Sequence, residues 1–133
     1  MRRACLLIGG VLNALCAVLH AAFPVVLRWP ETLATLSSEN RAVTYALAFH
    51  TALVIAAFAY MSFVHTKAII ETNLGRFICR LVTAFYLLRV TEEWTIFSSS
   101  LPEALGMTAF CALIAGLYWW PSMRPAVSRV KSI

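Results

Sequence analysis

Arg89, Glu92 and Glu93 fall within five positions of one another in the stretch "FYLLRVTEEW", in a chain that is only 13% charged. On a helix Arg89 faces Glu93 at i,i+4 and Glu92 at i,i+3, so one carboxylate neutralises the guanidinium and the other is left over. Tyr86 shares the side of Arg89 and Glu93, whereas Glu92 turns toward Phe85 and Leu88. Two histidines, His20 and His50, come from other apolar segments. Imidazole and carboxylate exchange protons near neutral pH, and a guanidinium or an indole such as Trp94 stabilises developing charge. His20, His50, Tyr86, Arg89, Glu92 and Glu93 are therefore the candidate polar cluster or ligand site. Two imidazoles and a carboxylate would also suit zinc, but no HxxxH or ExxH spacing fixes them, so no metal ligand is assigned. A haem between His20 and His50 is disfavoured by estimated depths that differ by roughly 7 Å, and the cofactor is left open.

These residues need elements to hold them, and the composition names the solvent. The 133-residue chain is 61% hydrophobic, against about 45–50% in soluble domains, so lipid is expected around it. The net charge of +5 is not gathered on one face but flanks apolar segments, which excludes nucleic acid as a partner. Cys5, Cys16, Cys79 and Cys111 form no CxxC pair and are read as small apolar residues. Four runs have the roughly 20 residues that a helix needs to cross a bilayer: 4–23, 42–64, 76–97 and 101–120. The third is the least apolar. Its crossing is required by the charges on either side. The expected fold is an all-α integral membrane four-helix bundle, a single domain over 1–133 with a basic tail at 121–133. "MRR" before an apolar run has the outline of a signal peptide, but the segment is expected to be the first span.

With both termini inside, the inner side carries Arg2, Arg3, Lys67, Arg76, Arg80, Arg124, Arg129 and Lys131. The outer side carries Arg28 and Arg41 beside Glu31, Glu39 and Glu103, which satisfies the positive-inside rule. Trp29 and Trp94 would mark the outer interface, and Tyr118, Trp119 and Trp120 the inner one. Ser100 and Glu103 have capping-box spacing for the fourth helix, "PETLATL" should form a short interfacial helix, and "HTKAIIETNLG" should end in a glycine turn. Gly9, Asn13, Cys16 and His20 share one face of the first helix and should look inward. The stripes Ala48, Ala52, Ala56, Ala59 and Ala109, Ala112, Gly116 should be packing faces as well.

At about 1.5 Å per residue, His20, His50, Arg89, Glu92 and Glu93 all lie in the outer half of the membrane, level with Tyr45, Tyr86 and Thr108. His65 belongs to the inner end. One expected function is an accessory subunit or a lipid- or small-ligand-binding bundle, partnered by the bilayer and by a larger membrane complex or a homo-oligomer. Its setting would be a bacterial inner membrane. The alternative is an intramembrane enzyme acting on a lipid-like substrate through His/Glu acid–base chemistry, with metal assistance as a variant. In span number and in its His/Glu/Trp set the chain is similar to sterol-isomerase-like and DoxX-like membrane proteins. It matches no motif of either residue by residue, and no site is carried over. A transporter or channel is less well served, because four spans without an internal repeat need oligomerisation to form a pathway.

Overall fold

The computed structural model describes residues 1–97 and 99–123, so the basic tail from 124 onward lies outside the described residues. Within them the chain forms α1 (Arg2–Val26), α2 (Trp29–Thr32), α3 (Ser38–Val64), α4 (Thr66–Glu71), α5 (Asn73–Thr95) and α6 (Leu101–Ser122), and no strand. Three of these helices, α1, α3 and α6, are long and apolar enough to cross a membrane. Many large apolar side chains on them face outward, including Leu15, Val18, Leu47, Leu53, Leu105 and Leu113, as expected where lipid is the solvent. At 23 residues α5 is also long enough, but Arg76, Arg80, Arg89, Glu92 and Glu93 keep its composition from marking a crossing by itself.

Local chemistry explains the helix ends. The Ser37 hydroxyl accepts from Asn40 N at 3.3 Å, so α3 starts four residues ahead of the expected apolar boundary. Ser100 and Glu103 form the anticipated capping box, with Ser100 N and Oγ at 3.0 and 2.8 Å from the Glu103 carboxylate. The "PETLATL" helix shrinks to the single turn α2, entered through Arg28 in the left-handed region (φ 51°). Trp29 packs inward. It is buried against Phe23 and Tyr45, ring centroids 6.5 and 5.0 Å away, and closes that end of the α1–α3 pair.

The connection between α3 and α5 also differs from its expectation. "TKAIIE" is helical, and Gly75 lies inside the first turn of α5, not in a glycine turn. A Cβ there would stand 2.2–2.5 Å from the backbone of Ile69. The glycine is needed because α4 rests directly on α5.

In the packing, α1 lies against α3, α5 against α6, and α1 also meets α6; α4 bridges α1 and α5. The inward face of α1 is as expected, with Gly9, Asn13 and Cys16 buried and His20 half-buried. On α3 the buried line is Ala52, Ile55, Ala59 and Ser62, while Ala56 is exposed. The stripe on α6 is reversed: Ala109, Ala112 and Gly116 are all exposed, and a Cβ added at Gly116 would meet nothing within 4 Å. Helix α6 packs instead through Cys111, Ile114, Ala115 and Tyr118. Smallness alone did not identify the packed face, because an aromatic residue with a polar tip outweighs it.

Candidate functional site

The polar groups separate into two centres and two outliers. The first centre begins with Asn13, fully buried on α1. Its amide nitrogen donates to Gly9 O at 2.8 Å and to Tyr118 Oη at 3.0 Å. Its amide oxygen accepts from the Tyr86 hydroxyl at 2.7 Å. Because Gly9 O can only accept, the orientation of the amide is determined by the network itself. Beyond it, Tyr118 Oη lies 2.5 Å from Ser62 Oγ, and Ser62 donates to Phe58 O at 2.8 Å. Ser62 has one proton and uses it on that carbonyl, so Tyr118 is the donor in the bond between them.

The result is one directed chain: Tyr86 to Asn13 to Tyr118 to Ser62 to the Phe58 carbonyl. It runs from α5 through α1 and α6 to α3. Every member is a neutral group with a partner, the condition under which burial of polar atoms costs little. Gly9 makes room for it, since a Cβ there would come within 2.6 Å of Tyr118 Cε2, and one at Gly10 within 3.0 Å of Ser62 Cβ. Cys16 lies beside the Tyr86 hydroxyl, and Thr83 Oγ1 crosses from α5 to Ala115 O at 3.2 Å.

Tyr118, expected as an interfacial marker, is instead 1% exposed and central to this chain. Ser62 and Tyr118 were missed by sequence reasoning, and Asn13 was taken only as part of a packing face. Their spacing held a usable signal. Ser62 continues the 52, 55, 59 line and Tyr118 the 111, 115 line, both at helical intervals of three and four.

The second centre is Arg89 with Glu93. Arg89 Nη2 lies 2.8 Å from Glu93 Oε2, and Glu93 is buried. The guanidinium carbon sits 4.4 Å from the centre of the Phe97 ring, a cation–π contact. Arg89 Nη1 is shielded and has no hydrogen-bond partner among the described residues. Nearby, Trp94 Nε1 donates to Thr108 Oγ1 at 2.9 Å and ties α5 to α6 at that end.

The remaining candidates do not join either centre. Glu92 is half-buried and has no side-chain partner among the described residues. His20 is half-buried, bonds Cys16 O through Nδ1 at 2.8 Å and stacks on Phe23 at 4.6 Å. His50 is exposed. Its Nδ1 lies 2.6 Å from Ala46 O on its own helix, and at 100° per residue it sits roughly 140° around α3 from the buried Ile55. Tyr86, Arg89 and Glu93 thus share the inward side of α5, while His50 points away from them. Among the described residues no set of three or more His, Cys, Asp or Glu side chains is placed to hold a metal.

Comparison with known proteins adds no name to this geometry: no family model, curated protein or solved structure matches the chain.

Proposed function

We propose that the chain is a four-span membrane protein with both termini on the inner side, and that it works as an accessory subunit. In this reading it docks on a partner in the membrane through the outward face of α3. The carrying observation is the placement of His50. It lies near the middle of a 27-residue helix that is long and apolar enough to span, yet it is exposed. A backbone carbonyl only accepts, so Nδ1 donates to Ala46 O, and Nε2 has no hydrogen-bond partner among the described residues. Ionisable groups at membrane depth ordinarily face protein, and small residues such as Ala46 and Ala57 beside His50 let a second helix approach closely. The interior polar groups, by contrast, are largely occupied by one another.

The fourth crossing is supported by direction. Tyr118, near the end of α6, meets Gly9, Asn13 and Ser62, and Trp94, near the end of α5, meets Thr108, near the start of α6. Helix α3 ends at one side of the bundle and α6 begins at the other, which supports α5 as the crossing that carries the chain between them. Arg2, Arg3, Lys67, Arg76 and Arg80 lie at the first side, which favours it as the inner one. A bacterial inner membrane is the proposed setting.

The test is a photo-crosslinking amino acid at position 50 in the full-length chain, expressed in its native membrane. A discrete adduct to one partner is expected, absent when the probe is moved to buried Ile55. An adduct of twice the chain's mass would replace the accessory role with a homo-oligomer, and adducts to lipid alone would refute docking at this face. A second reading, an enzyme or ligand site in the outer half, is favoured by Arg89 Nη1 and Glu92, neither of which has a partner among the described residues. A lipid or small molecule that co-purifies with the chain and is lost in Arg89→Gln would support it.

A further inference from the structure

At the end of the molecule where α1 begins and α6 ends, a half-open cavity of about 410 Å³ is lined by Met1, Arg2, Ile70 and Trp120. Its charged groups are the Arg2 guanidinium and the α-ammonium of Met1, and Arg2 Nη1 is shielded without a hydrogen-bond partner among the described residues. A shielded guanidinium nitrogen without an acceptor is costly, and a group that supplied one would bind with charge assistance. The charge around it is mostly positive. Arg3, Lys67, Arg76 and Arg80 belong to the same end, opposed by Glu71, and none of these cations is in an ion pair among the described residues. A second cavity of about 210 Å³, lined by Met61, His65, Ala68, Ile69, Thr72, Leu74, Gly75 and Ile78, has no Lys or Arg in its wall.

The forked donors of Arg suit phosphate oxygens better than a single carbonyl does. The side chains of the other walls, Met1, Ile70 and Trp120, are apolar or aromatic, as suits a headgroup that continues into acyl chains at the membrane boundary. We propose that this cavity holds the phosphate of an anionic phospholipid headgroup on Arg2. The assignment needs only that this end of the bundle lies at a membrane surface, and it is independent of any docking at His50.

The test is native mass spectrometry of the full-length chain, released from nanodiscs that contain phosphatidylglycerol and phosphatidylcholine in equal amounts. Retention of phosphatidylglycerol over phosphatidylcholine is expected, with the preference falling about tenfold in Arg2→Gln, the size of one charge-assisted bond. Arg3→Gln removes the same charge from an exposed neighbour and should leave the preference intact. Ile70→Trp keeps all charge but fills the cavity and should abolish it. If Arg2→Gln does not fold, Ile70→Trp and Arg2→Lys carry the comparison. Equal losses in the Arg2 and Arg3 variants would reduce the effect to general surface charge and overturn the site. Retention in Ile70→Trp would do the same. Arg2-dependent binding of inorganic phosphate with no preference for the lipid would overturn the lipid assignment.

Discussion

Tyr86 and Arg89 stand one turn apart on α5, and the networks they enter differ in kind. Tyr86 belongs to a chain of neutral groups that passes through four helices, with each hydroxyl and amide engaged. Arg89 belongs to an i,i+4 pair within one helix, and among the described residues one of its nitrogens and the Glu92 side chain beside it have no hydrogen-bond partner. A neutral network can be buried completely without the desolvation penalty of an ion, and it can therefore sit at the centre and set helix register. A charged pair made within one helix satisfies its own charges but specifies little about its neighbours. The more conspicuous residues in the sequence are thus the less informative about the fold.

This contrast can be broken by mutation. Asn13→Leu should have the largest effect, since it strips Tyr86 of its acceptor and Tyr118 of its donor. A loss of about 2–3 kcal/mol is expected, read by unfolding in mixed detergent with helix content followed by circular dichroism. An unchanged midpoint would mean that the chain of hydroxyls does not hold the helices together.

Gly9→Ala comes next, because the added methyl meets the Tyr118 ring and either the ring or α1 must move. The expected cost is about 1–2 kcal/mol in the same assay. Glu93→Gln should cost less than either, because the bond to Arg89 can persist through the amide oxygen and no contact between helices is removed. A loss as large as that of Asn13→Leu would place the Arg89–Glu93 pair on an equal footing and erase the distinction drawn above. Smallest of all is Gly116→Ala, whose methyl would point into open space. Its effect should stay within about 0.5 kcal/mol, with any gain coming from helix propensity. A large loss in the intact membrane but not in detergent would instead reveal a second helix packed there.

Much of this protein was legible in the residue order, and the reason is that the information is local. Apolar runs of bilayer length, the Ser100–Glu103 cap, the inward face of Gly9, Asn13 and Cys16, and the Arg89–Glu93 pair all follow from spacing within one helix. Local spacing also located α2 and the helical character of the third run, though not their exact bounds. It could not decide how each helix is rotated about its own axis. That rotation turned His50 outward although its expected depth matched that of Arg89, and it exposed Ala109, Ala112 and Gly116 although small residues commonly pack. It also brought Ser62 and Tyr118, 56 positions apart, within 2.5 Å. Position along a helix follows from counting residues once its ends are known, and the sequence determines it to within about a turn. Azimuth is set by which side chains of other helices fill the space opposite, and only the tertiary structure decides that.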